Sequence, residues 1–442
     1  MVSRTVAATA AGILVGSLFA TLQAGPAGAE PDRAGPNGHR DGARNGSVHR
    51  QAPRPIGPRR TRTNRWTSNA DLARGTNGGV KVGHGALRIR RPKGTRTVPD
   101  PFGAKGNRRF EWSRWTAPWQ NTGFNATNLI ASWNARTPGR TFVRIEARTR
   151  TGRTTSSWDK IADWGTSVSA IHRTSGSAQT DDLNKLQTDT LVSSGAPIRG
   201  YQLRVTLFRP SGRSISPSLR SVGAVAATYT TRTQPVSKTT MRKNTALPVP
   251  RFSQMIHTGH YPQWGDGGQA WCSPTSTAMV LRHFHRGPRP AAYAWTHETY
   301  GEVDYAARFT YDHRYEGNGN WPFNTAYAGH FGMDAYVTRL RNLRDAERFI
   351  RAGIPVVISL AFDKGELDGA PINSTNGHLM VIVGFRKNGD VVANDPAAPK
   401  NSTVRRVYKR AQLEKAWLGA SGGVTYVIHP PGKALPKKTN RW

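Results

Sequence analysis

Cys272 is the only cysteine among 442 residues, and it lies in the sequence QAWCSPTSTAMVLRHF at positions 269–284. Ser273 is a favourable N-cap residue and Pro274 suits the first position of a helix, after which apolar residues recur at helical spacing. The sequence therefore predicts that Cys272 lies just ahead of a short buried helix. Free backbone N–H groups and the positive end of the helix dipole favour a thiolate there, and a thiolate is a nucleophile. The alternative is a small buried residue or a spare thiol.

His378 and Asp395 could supply the base and the orienting acid that a nucleophilic thiol needs. His378 starts an apolar strand in the sequence GHLMVIVGF, so the strand fixes its backbone while its side chain can face a cleft. Asp395 follows the next strand, and the turn at residues 386–390 indicates a hairpin. Hairpin pairing brings the end of the second strand beside the start of the first, which predicts that His378 and Asp395 are neighbours. Standing alone, His378 would more often be a core histidine with satisfied hydrogen bonds.

Ser421 offers a competing nucleophile in the sequence GASGG at positions 419–423, which fits the nucleophile elbow of serine hydrolases. That class of enzyme needs an acid and then a histidine further along the chain. His429 follows Ser421, but no carboxylate side chain does. The sequence therefore excludes this arrangement.

Two groups of histidines are candidate metal ligands. His283 and His285 are two residues apart in a helix, so their side chains point to different faces and cannot hold one ion. His257 and His260 could surround an ion together with Asp266, but this spacing is not specific, and surface histidines are the expected interpretation. The sequence predicts no metal site and no cofactor.

The N-terminal sequence has the pattern of a secretory signal. Arg4 is followed by an apolar run rich in small residues at positions 6–22, and an A-x-A sequence ends at Ala29. The competing interpretation is a transmembrane anchor, but the small residues argue against it and no further hydrophobic span occurs. We predict a signal peptide at residues 1–29 and a secreted protein, extracellular or associated with the cell wall. Exported proteins normally pair their cysteines, so a lone thiol indicates a chemical role.

The chain is strongly basic, with 63 Lys and Arg against 27 Asp and Glu, a formal charge of +36 and a pI of about 11.3. Basic chains bind nucleic acid by releasing counterions from phosphates, but no recognition motif accompanies the charge, so no specific nucleic-acid partner is predicted. For an exported protein, anionic cell-wall polymers and membrane surfaces are more natural electrostatic partners. A basic, arginine-rich proteome would explain the charge equally well.

Composition divides the chain into two predicted domains. Residues 30–64 are rich in Pro, Gly, Arg, Asn and Ser and predict a disordered basic linker. Residues 65–231 predict an all-β domain, a two-sheet sandwich of jelly-roll type, because alternating apolar runs recur at short intervals. The predicted strands are residues 87–90, 128–133, 141–149, 167–174, 201–208 and 222–230.

The predicted β domain has an excess of tryptophan. These residues are Trp112, Trp115, Trp119, Trp133, Trp158 and Trp164. Exposed tryptophans would stack on sugar rings and make the domain a carbohydrate-binding module, whereas buried tryptophans would form its core. We expect core positions and keep carbohydrate binding as the alternative.

After a polar linker at residues 232–249, residues 250–431 predict an α+β domain with one sheet packed on helices. Helical patterns cover residues 274–285 and 342–352, and the predicted strands are residues 355–361, 377–385, 391–393, 403–407 and 424–428. The segment 317–329 is rich in glycine and aromatic residues, and it could line a cleft or be an ordinary turn. Residues 432–442 form a short basic tail.

Three motifs of the second domain together resemble a known family. They are Cys272 to Ser276 before a helix, Gly377-His378 at the start of a strand, and Asn394-Asp395-Pro396 after the next strand. This order resembles the bacteriocin-processing, double-glycine-leader type of papain-like cysteine peptidase, in its secreted, stand-alone peptidase-like branch. The resemblance covers about residues 250–431 and implies a papain-like fold. Because no transporter span or ATP-binding motif accompanies the motifs, leader removal during export is not implied.

The resemblance also implies a glutamine, a few residues before the cysteine, that stabilises the oxyanion. Gln254, Gln263 and Gln269 compete for this role. The sequence VPRFSQM best resembles the family's strand that ends in this glutamine, which favours Gln254, with an insertion lengthening the loop before Cys272. Ser273 replaces the family's usual glycine, a change that a helix start tolerates.

The sequence as a whole predicts a secreted cysteine peptidase. Cys272, His378 and Asp395 would hydrolyse peptide bonds of a peptide or protein substrate through a thioester intermediate. A transglutaminase-like acyl transferase or a cell-wall amidase would use the same three residue types. A cell-wall-binding protein without activity is the remaining alternative.

Overall fold

The described part of the chain begins with a long series of β-strands and continues with mixed helices and strands. The structure is a computed structural model, and it describes residues 58–103, 108–180, 182–229, 234–296 and 299–437. The predicted signal peptide, most of the predicted basic linker and the end of the basic tail lie outside these ranges. Among the helices in them, none has both the length and the apolar character that a membrane span needs.

The N-terminal region contains sixteen strands and one short helix among its described residues. In chain order they are β1 (Pro58–Trp66), α1 (Asn69–Ala73), β2 (Thr76–Gly78), β3 (Val80–Gly83), β4 (Ala86–Ile89), β5 (Gly94–Val98), β6 (Arg108–Thr116), β7 (Gln120–Ala126), β8 (Asn128–Arg136), β9 (Phe142–Thr151), β10 (Thr154–Thr155), β11 (Asp159–Trp164), β12 (Thr174–Ser175), β13 (Asn184–Gln187), β14 (Thr190–Ser193), β15 (Ile198–Pro210) and β16 (Ser218–Tyr229).

Two antiparallel sheets hold these strands. In the first sheet the order is β13-β14-β8-β16-β4-β3, and β1 also pairs with β16. In the second sheet the order is β12-β11-β9-β15-β6-β2, and β10, β5 and β7 pair with β9, β6 and β15. Trp133 of β8 and Leu203 of β15 lie in the same buried cluster, so apolar side chains of the two sheets share one core. The N-terminal region is therefore mostly β-sheet.

Two sequence-based predictions are wrong in this region. Residues 58–64 were predicted to be disordered, but they form most of β1 because their backbone pairs with β16 and Thr61 is buried. Backbone pairing can order a strand whose own composition is too polar to do so. Residues 167–174 were predicted to be a strand but are mainly turns, and strand pairing begins only at Thr174.

The tryptophans of this region fall into two groups. The buried ones are Trp115, Trp133 and Trp164. The half-buried ones are Trp112, Trp119 and Trp158. Arginine side chains cover the rings of the second group; the Arg148 guanidinium, for example, lies 5.1 Å from the Trp119 ring and 4.6 Å from the Trp158 ring. Three of the six tryptophans thus form part of the core, and arginine side chains stack on the other three.

The C-terminal region follows with seven strands and five α-helices among its described residues. They are β17 (Thr245–Ala246), α2 (Cys272–His283), α3 (Glu302–Thr310), α4 (Trp321–His330), β18 (Asp334–Arg339), α5 (Leu343–Arg351), β19 (Val356–Phe362), β20 (Thr375–Phe385), β21 (Val391–Asn394), β22 (Arg405–Tyr408), α6 (Arg410–Ser421) and β23 (Val424–His429). Short 3-10 turns lie at Met255–His257, Pro262–Trp264, Gly268–Ala270, Pro290–Ala292, Ala294–Thr296 and Asn401–Thr403.

One sheet with the order β18-β23-β19-β20-β21-β22 forms the centre of this region, and β17 pairs with the end of β20. Successive residues of β20 alternate between its two faces. Leu379 and Val381 pack in one buried cluster with α2 and α3, whereas Met380 and Ile382 pack in another with α5 and α6. Helices therefore cover both faces of the sheet, and α2 lies on the face that Leu379 shares.

Segment 317–329 is neither a cleft-lining loop nor an ordinary turn, because most of it forms α4. Asn320 caps this helix by accepting a hydrogen bond from the Phe323 N–H at 3.1 Å, and Pro322 lies in the first turn, where a missing N–H is tolerated. Phe323 is fully buried in the core of the N-terminal region. The aromatic content of this segment thus serves packing.

The segment predicted as a polar linker docks on the C-terminal region over residues 237–246. The Ser237 hydroxyl donates to Glu414 at 2.5 Å, and the Thr240 hydroxyl donates to Glu347 at 2.6 Å. Five residues after Thr240, β17 begins and pairs with β20. The polar side chains of the predicted linker therefore bind carboxylates of α5 and α6.

Candidate active site

Cys272 is the first residue of α2, and its side chain is partly exposed. The prediction that Ser273 caps this helix is wrong. Trp271 takes the cap position without a side-chain hydrogen bond, while the buried Ser273 hydroxyl bonds to the hydroxyl of Tyr426 on β23 at 2.9 Å. Pro274 falls in the first turn, where its missing N–H breaks no helical hydrogen bond. Cys272 thus lies at the N-terminus of a buried helix.

The β20–β21 hairpin positions His378 and Asp395. His378 is the fourth residue of β20, and Asp395 directly follows β21. Val381 pairs with Asn394, so the chain leaving β21 runs back beside the beginning of β20. The Ser276 hydroxyl of α2 donates to the backbone oxygen of Leu379 at 3.2 Å, which fixes the helix against this part of the strand.

The structure brings Cys272, His378 and Asp395 together. Nε2 of His378 lies 2.8 Å from Oδ1 of Asp395, and both side chains are buried. The Cys272 thiol lies near the same imidazole and helps to raise its pKa. Because Nε2 faces the carboxylate, Nδ1 is the ring nitrogen left for the thiol. This order of thiol, imidazole and carboxylate is the arrangement that activates a nucleophile.

Charge strongly shifts the pKa of the buried His378–Asp395 pair. Burial by itself lowers the pKa of His378, but the charge and hydrogen bond of Asp395, with a smaller contribution from Cys272, raise it to about 10. Burial by itself raises the pKa of Asp395, but His378, the Tyr408 hydroxyl and the Ala397 N–H hold it below its usual value. At neutral pH the imidazole is therefore protonated and the carboxylate ionised.

Tyr408 is a site residue that sequence reasoning missed. Its hydroxyl donates to Oδ2 of Asp395 at 2.6 Å, and the residue is fully buried on β22. The only sequence signal was a tyrosine in a short strand after the Asp395 motif. A tyrosine in such a strand is usually a core residue, so it does not indicate a site. Only the pairing of β22 with β21 reveals that this hydroxyl points at the carboxylate.

Gln254 differs from the two competing glutamines because it is buried next to the site. Its backbone N–H donates to the Pro396 oxygen at 2.8 Å, directly beyond Asp395, and its side-chain Nε2 donates to the Gln269 oxygen at 2.7 Å. Gln263 and Gln269 have exposed side chains. The structure thus places the Gln254 amide between the chain after Asp395 and the chain before Cys272, while its role stays a prediction.

His257 is not a surface histidine as predicted, since only 1% of it is exposed. Its neighbours are His260 and the buried Asp304 of α3, at 3.0 Å from the imidazole of His257, while Asp266 is exposed. The sequence suggested Asp266 because it is close along the chain. Asp304 lies 44 residues after His260 and joins the cluster through folding.

Two family descriptions match the chain, and they cover the two regions of the fold. Residues 62–227 match the Peptidase C39 N-terminal domain, in its actinobacterial form, and residues 246–424 match the Peptidase_C39 like family. A thiol beside a hydrogen-bonded imidazole and carboxylate is the set of groups that a cysteine hydrolase needs. Together the two matches support a C39-type peptidase, which confirms the peptidase resemblance predicted from the three motifs.

Two solved structures are similar to parts of the chain. One, described as a C39-like peptidase from Bacillus anthracis, is 17% identical, covers 42% of this chain and 97% of its own, and has a TM-score of 0.28. The other is a fragment of prointerpain A from Prevotella intermedia. It is 15% identical, the match covers 44% of this chain and 75% of the fragment, and the TM-score is 0.24. Both TM-scores are below 0.5, so neither structure defines the fold of this chain. No curated protein matches it.

Proposed function

We propose that this protein is a cysteine peptidase that uses Cys272, His378 and Asp395. The observation that carries the proposal is the hydrogen-bonded pair of His378 and Asp395 beside the Cys272 thiol at the start of α2. The match to the Peptidase_C39 like family supports peptide or protein as the substrate. A partly exposed thiol beside two buried partners suits a nucleophile that substrate must reach.

The reaction proceeds through a thioester. His378 holds the proton of Cys272 as an imidazolium, and the thiolate attacks the carbonyl carbon of the peptide bond. The imidazolium then gives its proton to the leaving amine, the C–N bond breaks, and the acyl group remains on sulfur. A water molecule, deprotonated by the imidazole, hydrolyses the thioester and restores the thiol. Asp395 keeps the imidazole oriented and stabilises its charged form.

Gln254 and the Cys272 backbone form the oxyanion site in this proposal. The N–H of Cys272 lies in the first turn of α2, where N–H groups have no partner within the helix. The Gln254 amide is held by its hydrogen bond to Gln269, three residues before the nucleophile. Loss of one such donor typically lowers the rate by about 100- to 1000-fold.

The finer features of the architecture and location belong to the same proposal. The N-terminal region is a β-sandwich of jelly-roll type, and residues 250–431 form a papain-like domain. The protein is secreted by the signal peptide at residues 1–29, and its charge of +36 attracts anionic cell-wall polymers. The shared core of the two sheets supports the sandwich, and the placement of Cys272 on a helix and of His378 on the facing sheet supports the papain-like fold.

The proposal is tested by following Cys272 itself. Because the chain has one cysteine, alkylation by iodoacetamide reports this thiol alone. In the folded chain the thiol beside His378 should react about 10- to 100-fold faster than the same thiol in the urea-unfolded chain. Cleavage of a fluorescently labelled, denatured protein should disappear in Cys272→Ala.

His378→Gln serves as the matched variant, because it keeps the thiol but removes its charged partner. It should react with iodoacetamide at about the rate of the unfolded chain and should lack peptidase activity. Full cleavage by Cys272→Ala would contradict the proposal. Rapid alkylation without cleavage of any peptide or protein, but with acyl transfer to amines or cleavage of peptidoglycan fragments, would favour the alternative thiol enzymes.

A further inference from the structure

Two histidines and one aspartate converge beside the loop that precedes Cys272. His257 ends a 3-10 turn, His260 follows in the same loop, and Asp304 lies on α3. Nδ1 of His257 is 3.0 Å from Oδ2 of Asp304, and Nδ1 of His260 is 3.0 Å from Oδ1 of the same carboxylate. One nitrogen or oxygen atom from each of the three side chains lies within 4.8 Å of the others.

This cluster is buried, and part of it has no hydrogen-bond partner. Asp304 is fully buried and 1% of His257 is exposed, whereas the side chain of His260 is 22% exposed. Within the described part of the chain, neither ring nitrogen of His257 nor Oδ2 of Asp304 makes a hydrogen bond of acceptable geometry. Buried polar atoms are nearly always satisfied, so three such atoms at one place call for a partner.

Nδ1 of His260 is hydrogen-bonded to Oδ1 of Asp304, but the contact of His257 with Asp304 fits two ligands of one metal ion better than a hydrogen bond. Nδ1 of His257 and Oδ2 of Asp304 are close but are not aligned as donor and acceptor. Ligand atoms bound tetrahedrally to zinc at about 2.0 to 2.1 Å lie about 3.3 Å from one another. The distance of 3.0 Å from His257 to Asp304 is near that value, and a bound ion would replace the hydrogen bond that His260 makes to the other carboxylate oxygen.

We propose that His257, His260 and Asp304 bind one Zn²⁺ ion. Two neutral imidazoles and one carboxylate are a donor set that zinc accepts, with a fourth position left for water or another donor. The partly exposed His260 gives the ion its route from solvent. This site is separate from the thiol, imidazole and carboxylate of the proposed catalytic row.

The ion would fix the loop that joins Gln254 to Cys272. The His257 N–H donates to the Gln254 oxygen at 3.0 Å, and the His257 ring lies 6.3 Å from the ring of Trp271, the residue before the nucleophile. Gly268 packs so closely below this turn that a Cβ atom would collide with the backbone of Gln254 and His257. A metal bond from this turn to Asp304 of α3 therefore holds both sides of the oxyanion site.

Metal binding is measured in the full chain carrying Cys272→Ala. Without this substitution, the thiol and His378 would form a second binding site for zinc. After dialysis against Zn²⁺, this parent protein should retain one zinc per chain. Asp304→Asn and His260→Ala, each added to the same parent, should lower the zinc affinity by about 100-fold or more. His285→Ala is the matched control, because His285 is exposed and outside the cluster, and it should bind zinc like the parent.

A second measurement needs no substitution in the cluster. Co²⁺ bound to the parent protein should show the visible absorption of a tetrahedral site, and Zn²⁺ should displace it stoichiometrically. A parent protein that retains no stoichiometric metal overturns the proposal, as does zinc affinity that stays unchanged in both Asp304→Asn and His260→Ala. Since these measurements use an inactive parent, they succeed or fail independently of the peptidase proposal.

Discussion

Asp395 uses both carboxylate oxygens at once. Oδ1 accepts from His378 at 2.8 Å and from the Ala397 N–H at 3.0 Å, and Oδ2 accepts from the Tyr408 hydroxyl at 2.6 Å. A buried carboxylate with three donors remains ionised and has one orientation. It therefore defines the ring plane of His378 and so the direction from which the imidazole meets Cys272.

We expect Tyr408→Phe to weaken the site while leaving the ring packing in place. Oδ2 of Asp395 would lose its buried donor, which raises the pKa of Asp395 and reduces its support for the His378 imidazolium. The free energy of unfolding should fall by about 1 to 3 kcal/mol, and kcat/KM should fall about 10-fold or more. The alkaline limit of activity should move to lower pH, a shift that a purely structural loss would not produce.

Tyr327→Phe is the matched control for this substitution. Tyr327 is buried as deeply as Tyr408, but its hydroxyl makes no hydrogen bond among the described residues. Removing it should leave the pH profile unchanged and stability nearly so. Equal effects of the two substitutions, measured by kinetics across pH and by urea unfolding, would show that the Tyr408 hydroxyl does not position Asp395.

The raised pKa of His378 also predicts a pH dependence of stability. It is measured best in Cys272→Ala, where no thiol titrates in the unfolded chain. The folded protein holds the imidazole proton up to about pH 10, whereas the unfolded chain loses it near 6.5. This contribution to the free energy of unfolding is therefore complete below pH 6.5 and disappears as the pH rises toward 10.

Removal of the imidazole isolates that contribution. Cys272→Ala/His378→Gln should lose less stability than Cys272→Ala between pH 6.5 and 10, as measured by urea unfolding at each pH. Other groups that titrate in this range are the same in both proteins and cancel in the comparison. Identical slopes would mean that Asp395 does not raise the pKa of His378.

Elements with a strong local pattern could be predicted from the sequence. In TFVRIEART the alternation of apolar and polar residues predicts a strand, and β9 occupies Phe142–Thr151. The apolar repeat after Cys272 predicts α2, which runs to His283. The hairpin that aligns His378 with Asp395 also follows from local signals, because its strands are only a short turn apart. Most of the candidate site was therefore predictable.

Elements that depend on distant partners could not be predicted. β1 has a basic, polar sequence and becomes a strand through its pairing with β16, more than 150 residues away. Asp304 joins His257, and Tyr408 joins Asp395, through folding that no local pattern reports. α4 was different, because Asn320 and Pro322 are ordinary signals of a helix start that the glycine and aromatic content obscured.

The two regions of the molecule are packed together with shared side chains. Phe323 and Ala326 of α4, a helix of the C-terminal region, lie in the core of the N-terminal region. Conversely, Ile130 of β8 and Val225 of β16 lie in the core of the C-terminal region. Ion pairing adds to this contact, since Arg65 of β1 binds Asp334 of β18. The N-terminal region therefore supports the fold that holds the proposed catalytic row.

Asn134 makes the contact at which this dependence is tested best. β18 lies at the edge of its sheet, where backbone groups are exposed to pairing. The Asn134 amide pairs with two of these groups, both in Ala335. Its Nδ2 donates to the Ala335 oxygen at 2.7 Å, and its Oδ1 accepts from the Ala335 N–H at 3.0 Å. Asn134→Ala would leave both backbone groups buried without this partner.

We expect Asn134→Ala to lower the free energy of unfolding by about 2 to 4 kcal/mol, since four buried hydrogen bonds are lost, two of them to Ala335. Asn77→Ala, at an exposed position of β2, should change it by less than about 0.5 kcal/mol. Urea unfolding is followed by tryptophan fluorescence and by alkylation of Cys272, which reports the C-terminal region alone. Both signals should shift to lower urea together if the regions unfold as one unit. Fast alkylation of Cys272 that persists up to the original urea concentration in Asn134→Ala would instead show that the C-terminal region is stable by itself.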